Sequence, residues 1–361
     1  MEADATEDQR ALLEVSSRFI EDVCPLRAVR DGAWKDAAFA AAYRRQAAEL
    51  GWFSMLVPES LGGGSVSGNG VLDAALIASR RGAVLQPGSF VGTNVVAAVI
   101  ASAGSDRLKS DVLAALVAGD ASASWAFDGA VDATLLDGGA LELTGSKRAV
   151  QDVEGSSWLL VTAASPDGTA QALVAADAPG VTVVEMDSLD LTRRFAEVRF
   201  DRVRVEPGAV IAGDLVTWQI ALASTLVAAE MVGAMERDLA TTVQYAKDRI
   251  AFGRPIGSFQ GVKHQLADTS LALEMSTAIT VAAARTLGEG DEYGPNAASM
   301  AKAFVGDAGI ELVQTCFQVY GGIGYTWEHD QHLYLRRITT DAELFGNAAW
   351  HREQVCQLAG I

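Results

Sequence analysis

The sequence predicts an α+β multidomain fold, in which an N-terminal helical domain, a middle β-barrel or β-sandwich domain and a C-terminal four-helix bundle follow one another along 361 residues. Three observations lead to this prediction. Apolar residues recur three and four positions apart up to about residue 118, which is the helical period. Short β-rich runs separated by turn residues follow, and long helical periodicity then returns. The predicted domains are residues 1–120, 121–212 and 213–361.

The composition is that of a globular protein with more than one core. Half of the residues are apolar, and 361 residues exceed the usual size of a single core. The longest apolar stretches, such as residues 221–229, are interrupted well short of the roughly 20 residues that a membrane span needs, so no membrane helix is predicted. The acidic N-terminus lacks the basic region and the apolar stretch of a secretory signal. The expected location is therefore the cytoplasm.

The formal net charge of −18 excludes broad contact with nucleic acid or anionic lipid, although local basic spots at residues 249–254 and 336–337 could hold an anionic ligand. Cys24, Cys316 and Cys356 have no CxxC spacing, which predicts free thiols rather than a disulfide framework. The four histidines form neither HExxH nor another ligand set, so no metal is expected.

The N-terminal domain is predicted from helical stretches at residues 11–20 and 37–50. The glycine-rich residues 61–70 interrupt the helical pattern and are predicted to form a flexible loop. Consecutive glycines permit positive φ or close backbone approach there.

The middle domain is predicted from five β-rich runs, at residues 140–145, 158–163, 170–175, 181–186 and 196–205. The last run alternates between apolar and polar residues. Val198, Phe200, Val203 and Val205 would then form one bulged apolar face of a strand.

The C-terminal domain is predicted as a bundle of four long helices, at residues 214–248, 259–288, 296–320 and 329–358. Pro255 and Pro295 lie in the short joints between them, since proline is not tolerated inside a helix.

The most informative motif is YAKDRIAFGRPIGSFQ, residues 245–260, which joins a predicted helix end to a helix start through a loop with cations and an aromatic ring. There, the Arg249 guanidinium could make paired hydrogen bonds to phosphate oxygens. The alternative is a charge at a helix C-terminus that the helix dipole favours. Together with QVYGGIGY, residues 318–325, and LGWFSMLVPESLGGG, residues 50–64, the motif resembles the acyl-CoA dehydrogenase family in order and spacing.

The resemblance implies an oxidoreductase that uses FAD. Six residues match those that hold the diphosphate and adenosine part of FAD in the family: Arg249, Phe252, Gln260, Gln318, Gly321 and Gly322. In the family, these residues contact FAD that is held mainly by a neighbouring subunit, so each cofactor site has two halves.

The other half of the site departs from the family pattern. The Thr-Glu-Pro…Gly-Ser-Asp loop beneath the flavin is replaced by a shorter segment without the motif, residues 125–134. In KRAVQD, residues 147–152, Ala149 stands where the family has a flavin-wall tryptophan, and Gln151 where it has a threonine. The chain's own flavin pocket is therefore expected to be altered or absent.

The catalytic base of the family is also missing from its usual positions. α,β-Dehydrogenation needs a carboxylate that removes the α-proton as hydride leaves the β-carbon for flavin N5. The family glutamate near the C-terminus is replaced by Phe345, and the alternative family position falls near Ala223 and Ser224. The catalytic residue therefore stays unassigned.

Two carboxylates are the nearest substitutes. Glu230 lies about two turns from Ala223, and Glu343 lies on another helix face from position 345. The simpler interpretations are a helix carboxylate for Glu230 and, for Glu343, a solvated charge cluster with Arg336 or Arg337.

Three hypotheses are open. In the first, the chain is one subunit of a heteromeric acyl-CoA dehydrogenase and completes the FAD site of a partner that carries the base. Residues 189–201 and 346–352 resemble the actinobacterial α2β2 enzymes that act on CoA thioesters of steroid side chains. The second is a homotetrameric flavoenzyme with a displaced base, and the third a non-catalytic scaffold. The resemblance implies an acyl-CoA substrate, a homologous partner subunit and an electron-transfer flavoprotein as partners.

Overall fold

The computed structural model describes residue 1 and residues 5–360, and it has the predicted order of a helical domain, a sheet domain and a second helical domain. Six α-helices lie before the sheet in the described chain: α1 Glu7–Val23, α2 Leu26–Arg30, α3 Ala37–Glu49, α4 Gly70–Ala83, α5 Phe90–Ala103 and α6 Ala114–Val117. Helix α1 begins with a capping box, since the Thr6 hydroxyl accepts from Gln9 N and the Gln9 side chain accepts from Thr6 N. Asp36 and Asn69 cap α3 and α4 through their side chains.

The middle domain is one eight-stranded sheet. Its strands are β1 Ala123–Ala126, β2 Val131–Leu135, β3 Leu141–Gln151, β4 Trp158–Ser165, β5 Gly168–Ala175, β6 Val181–Met186, β7 Phe195–Val205 and β8 Val210–Ile211. Their order is β6-β7-β3-β2-β4-β5-β8, and β1 pairs in parallel with β4. Strands β1, β2 and β8 were not predicted from the sequence, because they are only four, five and two residues long.

The bulged apolar face of β7 is confirmed. Val198, Phe200, Val203 and Val205 are all buried. The register of β7 against β3 shifts between Leu143 and Gly145, which accommodates the extra residue.

The C-terminal domain contains five helices in the described chain: α7 Val216–Asp248, α8 Gln260–Gly288, α9 Gly294–Tyr320, α10 Gln331–Glu343 and α11 Ala348–Leu358. The prediction of one helix over residues 329–358 is wrong, because residues 344–347 separate α10 from α11. Phe345 and Gly346 have φ of 57° and 108°, and the Asn347 side chain caps α11 by accepting from Trp350 N.

Helix α4 crosses α7 at two glycines. A Cβ at Gly82 would lie 1.9 Å from Glu230 O, and one at Gly233 would lie 1.8 Å from Ser79 O. No larger side chain fits at either position, so the backbones of the two helices touch. This contact brings Arg81 of α4 to the side of Glu230 on α7, with 4.0 Å between Nε and Oε1.

Helix α7 is long and apolar enough by composition to cross a membrane. However, 89% of its most apolar 18-residue stretch is buried inside the protein, and the helix contributes a large share of the main core. Core helices of globular proteins can be equally long and apolar.

Candidate functional site

Helix α7 ends at the residue before Arg249, as the sequence predicts, and the Arg249 side chain is exposed. A short hairpin follows, with strands β9 Ile250–Ala251 and β10 Arg254–Pro255. Its turn residues Phe252 and Gly253 have φ of 54° and 77°. A left-handed backbone is strained for phenylalanine, and Phe252 is 95% exposed. The turn therefore presents a phenyl ring outward at a cost in conformational energy.

The second predicted segment lies at the same end of the bundle, because the rings of Tyr245 on α7 and Tyr320 on α9 contact each other with 4.8 Å between centroids. Gln318 is exposed on the last turn of α9. Gly321 has φ of 60°, and a Cβ at Gly321 or Gly322 would meet no atom within 4 Å. Both glycines therefore border open space.

Gln260 is exposed at the first turn of α8, a helix of 29 residues whose N-terminus carries partial positive charge. A guanidinium, two amides, an aromatic ring and open backbone thus share this end of the bundle. We call this surface the Arg249 corner: Arg249, Phe252, Gln260, Gln318, Gly321 and Gly322. Its donors suit an extended anion such as a diphosphate.

A cavity of about 440 Å³ lies between the middle domain and the connection from α10 to α11. We call it the Trp125 cavity, lined among others by Trp125, Phe127, Ala149, Gln151 and Phe345. The Trp125 indole donates from Nε1 to Thr162 Oγ1 at 3.0 Å, and its ring stacks on Phe345 with 5.6 Å between centroids and 15° between planes. Phe127 packs 4.8 Å from the same indole.

The Trp125 cavity does not fit the flavin ring as the family pattern would require. Ala149 offers no aromatic wall, and the Phe345 loop presents a phenyl ring that cannot take a proton. Both replacements are visible in the sequence, whereas the stacking of the Trp125 indole on Phe345 is not, since this contact joins residues 220 positions apart.

The two substitute carboxylates have different surroundings. Glu343 is exposed, lines the Trp125 cavity and accepts a hydrogen bond from Asn347 Nδ2 at 3.3 Å. Glu230 is buried and ion-paired, and it does not line this cavity. At the alternative family position, Ser224 is buried with its Oγ 3.3 Å from His351 Nε2.

Glu230 belongs to a buried cluster that sequence analysis missed. The three-arginine cluster consists of six charged residues, each at most 4% exposed: Arg81, Asp190, Arg193, Glu230, Arg337 and Asp341. Arg193 donates to Glu230 Oε2 and lies 3.1 Å from Asp341 Oδ1. Arg337 donates from Nε to Asp190 Oδ2 at 2.6 Å. The cluster ties the middle domain to α4, α7 and α10.

The prediction of an exposed basic spot at Arg336 and Arg337 is therefore wrong for Arg337, which is buried. Arg337 is 1% exposed and also donates to the Leu85 and Gln86 carbonyls. It cannot take part in a solvated cluster with Glu343. The helical period predicts that residue 337 lies on a helix, but it cannot predict the buried contact with Asp190 of the middle domain.

The loop that carries Phe345 rests on two buried side chains. The Lys302 ammonium on α9 donates to Ala342 O at 2.8 Å and Gly346 O at 3.0 Å, so it satisfies carbonyls at the end of α10. His351 lies between the hydroxyls of Ser224 and Ser299, at 3.3 and 3.2 Å. Burial, together with the Lys302 charge, lowers the pKa of His351 from 6.5 to about 3.

We expect His351 to make the protein acid-sensitive. Its folded pKa lies below the unfolded value, so the unfolded chain binds a proton that the folded protein does not. The contribution of neutral His351 to the free energy of unfolding is therefore fully present above pH 6.5. It decreases as the pH falls towards 3, with a slope of about 1.4 kcal/mol per pH unit. Urea unfolding of wild type and His351→Gln between pH 4 and 7.5 measures the difference in slope. The exposed His264→Gln serves as control, and equal slopes for wild type and His351→Gln would contradict the expectation.

Among the described residues, no group of three or more His, Cys, Asp or Glu is arranged to hold a metal ion. The three cysteines are free, with Cys24 and Cys316 buried and Cys356 exposed.

Two family models match the chain. Residues 6–120 match the model described as Acyl-CoA dehydrogenase, N-terminal domain, and residues 213–359 match Acyl-CoA dehydrogenase, C-terminal domain. The acyl-CoA dehydrogenase IpdE2 of Mycobacterium tuberculosis is 30% identical over 344 residues, which cover 94% of this chain and 93% of IpdE2.

Solved structures give the same likeness. A variant of the Tcur3481–Tcur3483 steroid ACAD is 25% identical, with a TM-score of 0.89 over 98% of each chain. The ChsE4–ChsE5 complex from Mycobacterium tuberculosis is 26% identical, with a TM-score of 0.88 over 100% of this chain and 99% of the other.

Proposed function

Because this chain belongs to the acyl-CoA dehydrogenase family, an oxidoreductase family whose cofactor is FAD, we propose that it is one subunit of a heteromeric enzyme that performs α,β-dehydrogenation of a CoA thioester. In this assembly, the Arg249 corner completes the FAD site of a homologous partner chain. The partner supplies the flavin pocket and the catalytic base.

One observation carries the proposal: the ring of Phe345 stacks on Trp125 inside the chain's own cavity, where a carboxylate would be needed. A phenyl ring cannot accept the α-proton, and the indole fills space next to it. By contrast, the Arg249 corner keeps an arginine, two amides and open glycines on an exposed surface. The chain is thus suited to hold a cofactor for a neighbour rather than for itself.

Each residue of the corner has a distinct role in this proposal. Arg249 would pair with diphosphate oxygens in a bidentate geometry, while the Gln260 and Gln318 amides donate or accept further hydrogen bonds. Phe252 would cover the cofactor with an apolar ring and exclude water. When bound, FAD supplies the acceptor for the hydride that leaves the β-carbon.

The substrate proposed is the CoA thioester of a steroid side chain, and the proposed assembly is an α2β2 tetramer. Its support is the likeness over nearly the whole chain to a steroid ACAD and to the ChsE4–ChsE5 complex, each at 25% identity or more. An electron-transfer flavoprotein is the proposed electron acceptor, by analogy with the family.

The test is the absorbance spectrum and mass of the chain purified alone and co-expressed with an acyl-CoA dehydrogenase-like chain that carries the glutamate. We expect a colourless single chain that becomes a yellow tetramer with the partner, at one FAD per pair of chains. A yellow homotetramer of this chain alone, bleached by an acyl-CoA, would overturn the proposal.

The alternative, a homotetrameric dehydrogenase with a displaced base, is favoured only by Glu343, which lines the Trp125 cavity. We expect Glu343→Gln to leave the turnover of the complex unchanged, because the partner supplies the base. The matched control is Glu353→Gln, another exposed glutamate, on α11. A loss of about 100-fold or more in Glu343→Gln alone, as removal of a general base causes, would favour the homotetramer.

A further inference from the structure

A second cavity, of about 310 Å³, lies where the N-terminal domain meets the middle domain. We call it the Trp34 cavity, because Trp34 of the N-terminal domain lines it and contacts Arg194 of the middle domain. Ser89 lines both this cavity and the Trp125 cavity, whereas no residue of the Arg249 corner lines it. The site residues that were predicted from the family resemblance therefore do not account for it.

Aromatic rings form much of the wall of the Trp34 cavity. Phe39 and Tyr43 of α3 stack with 6.3 Å between their ring centroids. Phe53 and Phe90 are buried, with 6.2 Å between theirs. All four rings line the cavity. Because aromatic side chains bury a large apolar area on contact, this wall favours a ligand with an apolar body.

The charges that solvent can reach at this cavity are mostly positive. Three cations and one carboxylate that are exposed or half-buried line it: Lys35, Arg44, Arg194 and Glu154. Arg81 and Asp152 also line the cavity, but both are buried and their charges are opposite. The cavity therefore has an excess of positive charge, on a chain whose formal net charge is −18. Such a local excess attracts an anion.

Two of these cations contact the same indole ring. The Lys35 ammonium lies 5.6 Å from the Trp34 ring centroid, and the Arg194 guanidinium carbon lies 5.1 Å from it. The two charges are therefore at most about 11 Å apart. Arg194 Nη2 also donates to Lys35 O at 3.5 Å, so the middle domain reaches the backbone that carries Lys35. An anion that binds Lys35 is thus attracted by Arg194 as well.

Lys35 is the cation that is available to a ligand. It is exposed, and it makes no ion pair among the described residues. The neighbouring Asp36 carboxylate is used at the start of α3, where it accepts from Phe39 N at 2.8 Å. Arg194, by contrast, already donates to Glu154 Oε2 at 2.6 Å. The three donors of the Lys35 ammonium therefore stay free for an anion.

We propose that the Trp34 cavity binds an apolar carboxylate, whose charged group accepts hydrogen bonds from the Lys35 ammonium and whose apolar body lies against the aromatic wall. Arg194 strengthens the attraction and Glu154 weakens it. A cavity of about 150 Å³ holds one benzene, so 310 Å³ accommodates two fused rings or a chain of similar volume. The site is separate from the Arg249 corner and does not depend on the proposed function.

The test is calorimetric titration of the purified full chain, alone or in its complex, with 2-naphthoate and with 2-naphthamide at neutral pH and low salt. The two probes have nearly the same shape, and only the first carries a charge. We expect 2-naphthoate to bind at least about tenfold more tightly, since hydrogen bonds between charged groups are roughly twice as strong as neutral ones. Equal affinity for the two probes, or no binding of either, would overturn the proposal.

Variants of the charged residues test the assignment of the anion to Lys35. Lys35→Gln should reduce the preference for 2-naphthoate to about threefold or less. Glu154→Gln removes the carboxylate that neutralises Arg194, so it should tighten the binding of 2-naphthoate by about threefold and leave 2-naphthamide unchanged. Lys263→Gln is the matched control, because Lys263 is exposed on α8 and does not line the cavity. A preference that survives Lys35→Gln in full would contradict the assignment.

A further pair of variants tests the location of the apolar body. Ala40 and Ala42 lie on α3, but only Ala40 lines the cavity. Ala40→Phe should abolish binding of both probes, and the exposed Ala42→Phe should leave binding unchanged. Binding of 2-naphthoate at the wild-type level in Ala40→Phe would place the ligand elsewhere and overturn the proposal. If Ala40→Phe does not fold, the results for Lys35→Gln and Glu154→Gln decide, since both side chains are exposed.

Discussion

Replacing Arg193 with leucine is expected to lower the free energy of unfolding by about 3–5 kcal/mol, because breaking a buried ion pair leaves uncompensated charges in the protein interior. Arg193 lies within 3.1 Å of Asp341 and donates to Glu230, and both carboxylates are buried. Burial raises the pKa of Asp341, and the Arg193 charge opposes this rise. Without Arg193, both carboxylates would have to take up protons or draw in water.

The measurement is urea unfolding at pH 7, followed by far-UV circular dichroism and by tryptophan fluorescence. Arg199→Leu is the matched control, since Arg199 belongs to the same domain and pairs with Glu197 at the protein surface, at 2.9 Å. We expect no measurable change in the control, because exposed ion pairs contribute little. Equal stability of Arg193→Leu and wild type would show that the cluster does not hold the domains together.

Replacing Arg249 with alanine should strip FAD from the assembled complex without unfolding it. Truncating one partner of a charge-assisted pair costs about 2–5 kcal/mol, which weakens binding by roughly 30-fold or more. Arg249 is exposed and makes no side-chain ion pair among the described residues, so its loss should leave the fold intact. The measurement is the FAD content per tetramer, from absorbance after gel filtration, with a titration of FAD into the stripped complex.

Lys247→Ala is the control for this second prediction, because Lys247 is an exposed cation in the last turn of the same helix. It should retain FAD at the wild-type level. Unchanged FAD content in Arg249→Ala and in Gln260→Ala would instead favour the third hypothesis, in which the chain is a scaffold without a part in the cofactor site.

Much of the fold could be read from local patterns. Helix α7 ends at Asp248 and α8 begins at Gln260, close to the predicted limits of 248 and 259, because caps, prolines and apolar periods act over a few residues. The alternation in β7 likewise predicted its buried face. The domain boundaries at 120/121 and 212/213 stay predictions, and they fall in the connections from α6 to β1 and from β8 to α7.

Only part of the candidate site could be predicted from the sequence. The residues of the Arg249 corner were named from motifs, and the structure brings their two segments to one end of the bundle. Their roles toward FAD stay predictions. The absence of a base at position 345 was visible in the sequence, but the stack of Trp125 on Phe345 in the cavity wall was not, since nothing near residue 125 specifies a contact with residue 345.

The sequence by itself determined the order of domains and the long helices of the bundle, because these depend on neighbours within a few positions. Only the tertiary structure decided which charges are buried. Nothing in the sequence distinguishes Arg193 and Arg337 from surface residues, yet both are buried. They pair with carboxylates about 40 to 150 positions away. The tertiary structure also placed the Lys302 ammonium against the Ala342 carbonyl at the end of α10. It brought Tyr43, Arg81 and Gln86 to the lining of one cavity. Burial and pairing depend on what packs above a residue, and no local pattern encodes that.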